Sequence, residues 1–323
     1  SSFTSPSSAM RSLHVKRLRV ASWLLLLWPV LRLSLPKRLH GRLHRREALC
    51  LVAGASSPVP GRPCQHFLLA RHGQTTFNAE KRFQGSMDEE PVLNEKGIRQ
   101  ARELGDWLRN FCDAGEAAGK PAMSSVFCSP LRRARQTLAE ARDALGGDAA
   151  AVLPPEPETV IFPELREIDL YEWQGRTQAE VKESDPELMR LWKESAWELR
   201  LGGGRSVIAD LWSRASAVWC LMRAAAAPAA GPAAEPSLVV AHGTLGRALL
   251  SAATGLPVQA FRHFGLKNGE VVEVAWPQDA DGKSEGGAFW RRRHPEEGPW
   301  RSSAVEQASF EQESVEVGVV DVA

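Results

Sequence analysis

Three short apolar runs, His66 to Ala70 (HFLLA), Ser125 to Cys128 (SVFC) and Ser237 to Ala241 (SLVVA), each pass through a turn into a helical period. A run that is apolar at nearly every position is a strand covered on both faces, because a strand with one wet face alternates. The intervening segments supply the cover. From Asn94, a plausible N-cap, to Cys112 the residues Ile98, Ala101, Leu104, Leu108 and Phe111 recur at helical spacing. Ser129 and Pro130 stand as cap and first residue of a helix continuing over Leu131 to Leu145. Thr177 to Trp197 is helical with an interruption at Asp185-Pro186, and Gly202 to Gly204 break the chain before a helix from Ser206 to Ala226. A further helix from Thr244 to Thr254 ends at Gly255. Glu270 to Trp276 alternates as a half-buried strand, and Gly287 to Arg292 can pair with it. Apolar strands alternating with amphipathic helices define an α/β protein with a largely parallel sheet covered on both faces.

The charge of the chain is uneven. Residues 1–63 carry 11 of the 40 Lys and Arg and one acid, Glu47, whereas the remainder carries 29 bases and 38 acids. Val20 to Leu31 is an uncharged apolar stretch behind a basic run, too short to span a bilayer but fitting a signal core. The Arg- and His-rich stretch Lys37 to Arg46 then resembles an organelle transit segment, and Ala53-Gly54-Ala55 offers small residues for cleavage. Three segments are expected: a targeting leader over 1–63, a folded domain over 64–295 and a flexible acidic tail over 296–323. The leader implies a plastid destination; the alternative is membrane anchoring through residues 20–35. Once the leader is removed, no stable membrane association is expected. An acidic body has no overall attraction for nucleic acid, so any anion must be drawn by local charge. Five cysteines without a CxxC pair argue against a disulfide framework and a zinc site.

Two of the strands end in the same way, Ala70-Arg71-His72-Gly73 and Ala241-His242-Gly243. Side chains just past the carboxyl ends of parallel strands converge on one crevice, so histidines 170 positions apart can face each other. Ser129-Pro130-Leu131-Arg132 brings Arg132 to the same edge in the first turn of a helix, where free N–H groups favour an anion. Two arginines and two histidines on one crevice suit a phosphoryl group. Arg71 and Arg132 can grip its oxygens in bidentate fashion. One neutral imidazole attacks phosphorus while the other stabilises the growing charge. Such chemistry needs a proton donor, for which Glu164 and Glu167 are candidates if neighbouring acids and partial burial keep a carboxyl protonated. It needs no metal or other cofactor, because the arginines supply the charge.

Leu69 to Asn78 (LARHGQTTFN), with Arg82-Phe83-Gln84-Gly85 after it, resembles the opening motif of the histidine phosphatase superfamily, which includes phosphoglycerate mutases. Ser129 to Thr137, Leu165 to Asp169 and Val239 to Gly243 resemble its later motifs in order, and four ordered motifs are a strong signal where one RHG is weak. The resemblance covers roughly residues 66–276 and implies a three-layer α/β/α sandwich of the phosphoglycerate mutase-like kind. It further implies that His72 becomes phosphohistidine and that Arg71, Arg132 and His242 complete the phosphate pocket. Asn78 would be a phosphate ligand and Glu167 the proton donor. Gln84 and the backbone at Gly243 and Thr244 would line the substrate side. The implied activity is a phosphomonoesterase acting on a small phosphorylated metabolite, a sugar or sugar-acid phosphate. Alternatives are mutase-type phosphoryl transfer and a protein phosphatase on an N-terminal anchor.

Two departures bear on the substrate. Leu170-Tyr171-Glu172-Trp173-Gln174-Gly175 lacks the Gly and the Trp-Glu-Gly of many relatives and is similar to plant and algal members. Gly202-Gly203-Gly204-Arg205-Ser206 puts Arg205 where relatives carry an acid, a change expected to reach the pocket. Trp173 is expected as a substrate shelf, while Trp212 and Trp219 have core spacing. His66 and His263 are expected to be structural or solvated, Arg135 an ion-pair former, and Asp169 and Glu172 local hydrogen-bonding groups.

Overall fold

The computed structural model describes residues 64–87, 91–111, 122–226, 235–278 and 288–293. The expected leader, the acidic tail and Cys112 lie outside the described residues. Strands β1 (Cys64–Arg71), β2 (Ser125–Cys128), β3 (Val160–Ile161), β6 (Ser237–Ala241), β7 (Val271–Pro277) and β8 (Phe289–Arg293) form one sheet in the order β3-β2-β6-β1-β7-β8. The pairings β3–β2, β2–β6 and β6–β1 are parallel, and β7 is antiparallel to both β1 and β8. A two-stranded hairpin, β4 (Arg200–Leu201) with β5 (Arg205–Ser206), stands apart from the sheet.

Because side chains alternate across a strand, the apolar runs feed two cores at once. Leu68, Ala70, Val126, Leu238 and Val240 face one side and pack with α1 (Glu95–Phe111) and α2 (Arg132–Leu145). Phe67, Leu69, Phe127, Val239 and Ala241 face the other, against α5 (Val207–Ala225) and α6 (Gly243–Ala253). The result is the expected three-layer sandwich. Two shorter helices, α3 (Gln178–Ser184) and α4 (Pro186–Glu194), meet at Asp185-Pro186 as the sequence indicates, and Val181 and Met189 bring them into the second core.

Local chemistry sets the helix ends. Asn94 accepts the Gly97 N–H at 2.9 Å and caps α1. Thr177 and Glu180 form a reciprocal capping box on α3. The first helix turn after β2 departs from expectation: α2 begins at Arg132, and the Ser129 hydroxyl is engaged elsewhere. β7 also departs, being buried along its whole length. Its alternation marks the two cores, with Val272 and Val274 on one side, and its polar member Glu273 lies inside, 2.9 Å from Nδ1 of His66. His66 is thus a buried structural residue, as expected.

Gly202 to Gly204 turn the β4–β5 hairpin with φ of 56°, 77° and 101°, a region that side chains disfavour. Arg205 is exposed on β5 and does not line the cleft described below, so the expected effect on the pocket is not borne out by its position. Tyr171 itself holds φ 44°, where a non-glycine residue costs about 1–2 kcal/mol, and its ring lies against Gly202. A Cβ at Gly202 would come within 2.6 Å of that ring, whereas one at Gly203 would meet nothing within 4 Å. Both Gly202→Ala and Gly203→Ala should lose about 1 kcal/mol to the backbone. Gly202→Ala should lose about 1–3 kcal/mol more through overpacking. Equal losses in denaturant unfolding of the two variants would contradict this packing.

Candidate active site

β1 and β6 run the same way as neighbours, and their register pairs Arg71 with Ala241. The next residue in each strand is histidine. His72 and His242 therefore emerge side by side at the carboxyl edge of the sheet, with ring centroids 5.2 Å apart. Hydrogen bonds fix both exits: the His72 N–H donates to the Ala241 carbonyl at 3.0 Å, the Asn268 side chain donates to the His72 carbonyl at 3.0 Å, and the Gly246 N–H donates to the His242 carbonyl at 2.9 Å.

The hydrogen bonds assign the protons on both rings. Nδ1 of His72 lies 2.7 Å from the Gly73 carbonyl, which can only accept, so Nδ1 carries the proton and Nε2 keeps a lone pair. Nε2 of His242 lies 2.7 Å from the Ser129 hydroxyl. That hydroxyl already accepts the Leu131 N–H at 3.3 Å, and among the described residues its own proton has no acceptor but His242 Nε2. His242 is therefore the Nδ1–H tautomer, with a donor free for an oxyanion. Burial, followed by the charges of Arg133 and Arg71, holds His72 well below the usual histidine value. Burial, Arg133, His72, Arg71 and Arg214 do the same for His242. Both rings are neutral near pH 7.

Arg133, not Arg132, reaches the site, which corrects the sequence assignment. Successive helical residues point about 100° apart. The face of α2 that packs on the sheet carries Arg133, Ala134, Thr137, Leu138 and Ala141, and Arg132 is turned outward and exposed. Arg133 is 1% exposed and donates to the Met87 and Gly85 carbonyls at 2.9 and 2.7 Å. The signal was present in the apolar spacing of Ala134, Leu138 and Ala141. Arg71 donates Nη1 to the Leu266 carbonyl at 2.7 Å, and its guanidinium packs against Gly243.

Glu167, and not Glu164, lines the site. Its setting differs from the expected cluster of acids. Oε1 accepts the N–H groups of Ile168 and Leu245 at 2.9 and 2.8 Å, and Oε2 accepts that of Thr244 at 2.8 Å. The carboxyl thus caps the first turn of α6 from outside the helix. Arg214 of α5 holds the backbone beneath it, donating to the carbonyls of Glu164, Arg166 and Glu167. The sequence signal for Arg214 was a base at helical spacing between Leu211 and Val218, both buried.

His242 is fully buried beside His72, and Arg71, His72, Arg133 and Glu167 open on one cleft of about 340 Å³. Arg71, His72, Asn78 and Gln84 line it from the β1 side, and Gly243 and Thr244 from α6, as the resemblance implied. Asn78 Oδ1 is occupied by Thr75 and Asn268, and Gln84 Oε1 by Thr75 Oγ1 at 3.0 Å, so each amide group can turn its donor to a ligand. Trp173 is no shelf: it is fully buried between Phe83 and Trp192, with ring centroids 5.0 and 6.3 Å away. The indole on the cleft is that of Trp192. Arg247 of α6 and Arg262 also line the cleft, and neither was singled out in the sequence. Asp169 and Glu172 make local bonds, to Ser86 and Arg166 and to the Gly202 N–H. Cys128 is inert, burial pushing its thiol up to about 12.

A doubly covered sheet with two neutral imidazoles and buried guanidiniums at its carboxyl edge has the chemistry to suit a tetrahedral oxyanion. The chain belongs to the histidine phosphatase superfamily (branch 1), whose sequence model matches residues 67–283. It is 33% identical over 217 residues to a probable 2-carboxy-D-arabinitol-1-phosphatase of Arabidopsis thaliana, covering 67% of this chain and 39% of that protein. It is 31% identical over 233 residues to a glucosyl-3-phosphoglycerate phosphatase of Mycolicibacterium vanbaalenii, covering 70% and 92%. Among solved structures it resembles mycobacterial glucosyl-3-phosphoglycerate phosphatase, with a TM-score of 0.55, 27% identity, and 71% and 97% of the two chains covered. The chain spans about two fifths of the length of the plant relatives it matches.

Two measurements test this geometry. Nitrogen NMR should show His72 neutral and protonated on Nδ1 at pH 6.5, the ordinary histidine value; a doubly protonated ring there would contradict the structure. The folded rings bind protons less readily than the unfolded chain, so their contribution to stability is complete above that pH and is lost as pH falls below it. In the second measurement, Arg133→Ala should weaken vanadate binding by about a hundredfold or more, and Arg132→Ala by no more than a few fold. The reverse order would return the pocket to Arg132.

Proposed function

We propose that the chain is a metal-independent phosphomonoesterase acting on a small phosphorylated metabolite through a phosphohistidine. The observation that carries this reading is the Nε2 lone pair of neutral His72, set beside the His242 donor and the charges of Arg71 and Arg133. The phosphatase names of the plant and bacterial relatives support it. Arg71 and Arg133 hold the phosphoryl oxygens while Nε2 attacks phosphorus. As the N–P bond forms, the ester P–O bond breaks, and His242 Nδ1–H and the guanidiniums stabilise the equatorial oxygens. Glu167, the acid on the cleft wall, delivers the proton to the departing oxygen. Water then attacks phosphorus, the N–P bond breaks, and Glu167 takes a proton back.

Quenching the full chain during turnover of radiolabelled p-nitrophenyl phosphate should trap a phosphoryl adduct stable in base and lost in acid. Turnover should persist in EDTA, and His72→Ala should show neither adduct nor turnover. Full activity in His72→Ala would end this reading.

A further inference from the structure

The bases on the cleft wall are Arg71, Arg82, Arg133, Lys193, Arg247 and Arg262, and the acid is Glu167. Most of the guanidiniums are committed. Arg71 and Arg133 bind backbone carbonyls, and Arg82 is paired with Glu80 and donates to the Gly175 carbonyl. Arg247 and Arg262 differ, because neither has a hydrogen bond or an ion pair with a described residue. Arg247 follows Gly243 by one turn of α6, which places it on the face that borders the phosphoryl end. Arg262 lies with its Cζ 5.2 Å above the Trp192 ring, which steadies the guanidinium without consuming its donors.

The charges of this pair are unbalanced. Arg262 reaches solvent, yet partial burial and the proximity of Arg247 hold it below the ordinary arginine value; partial burial does the same to half-buried Arg247 against a pull from Glu167. Glu167 offers little relief, its oxygens being taken by three backbone N–H groups. A phosphoryl group gripped by Arg71 and Arg133 answers the charge at its own end only. Between the ends, Phe83, Met189 and Trp192 give an apolar wall for a carbon skeleton.

We infer that Arg247 and Arg262 form a second anion subsite in the cleft, receiving a carboxylate or second phosphate carried by the same phosphorylated substrate. This rests on the phosphatase reading for the first end of the cleft and narrows its substrates to esters with two acid groups. Guanidinium suits either acid group, through paired N–H bonds.

Calorimetry on the full chain carrying His72→Ala tests the subsite with matched ligands. For the carboxylate arm, 6-phosphogluconate is compared with glucose 6-phosphate; for the phosphate arm, fructose 1,6-bisphosphate with fructose 6-phosphate. The doubly acidic member of at least one pair should bind about ten- to a hundredfold more tightly, the range expected of a charged hydrogen-bonding pair. The arm that shows the preference identifies the acid group. Arg247→Gln and Arg262→Gln should each reduce that ratio by about tenfold. No preference in either pair, or one that survives both substitutions, overturns the subsite. The readout is binding to a protein without its nucleophile, so a wild-type chain that hydrolyses nothing defeats the phosphatase reading and leaves this result standing.

Discussion

The parallel register of β1 on β6 is the constraint on which the site depends. Pairing Arg71 with Ala241 brings the following residues to the same height, and both are histidine. A slip of one residue would turn every side chain of β1 to the opposite face. It would exchange Leu68 and Ala70 with Phe67 and Leu69 between two cores of different shape, which the packing on both sides forbids. The juxtaposition of the two rings is therefore enforced by hydrophobic burial along the five paired positions of β1 and β6. β2 extends the same logic: Cys128 pairs with Val240, and Ser129, the next residue, meets His242.

Electrostatics then converts position into reactivity. A histidine in water is partly protonated near pH 6.5 and loses its lone pair when charged. Here burial and two nearby guanidiniums oppose the proton, while the Gly73 carbonyl favours it; burial is the largest influence and the ring stays neutral. The same guanidiniums that protect the lone pair also favour an anion beside it. Their own burial is tolerated because backbone carbonyls of the Gly85 to Met87 loop and of Leu266 take their protons. The loop that follows the RHG turn is thus tied to α2, and the histidine turn to α1, where Gly73 packs so closely on Gly97 that a Cβ would lie 2.3 Å from its carbonyl oxygen.

The layers, the helices and the convergence of the two histidines were legible because apolar periodicity reports burial directly. Less legible was which of two adjacent arginines faces inward. Arg132 and Arg133 are chemically alike, and the difference lies in the phase of α2, whose inward face carries Arg133 with Ala134, Leu138 and Ala141. Trp173 was misjudged for a related reason: a large aromatic beside a loop motif is equally a core residue, and only its neighbours Phe83 and Trp192 decide. Glu273 made β7 look half wet, although a buried partner, His66, accommodates it inside the sheet. Arg214, Arg247, Arg262 and Asn268 carry no local motif, because each acts on a segment distant in the chain.

Glu167 joins the cleft to the scaffold. Its carboxylate consumes the Thr244 and Leu245 N–H groups, so the positive end of α6 serves the acid rather than the phosphoryl group. An anion in the cleft would then meet side chains, Arg71 and Arg133 among them, where a free helix terminus would otherwise have offered N–H groups. Three N–H bonds leave one of the carboxylate's four lone-pair sites, on Oε2, open. The segment that carries the carboxylate is held from beneath, since Arg214 donates to the carbonyls of Glu164, Arg166 and Glu167.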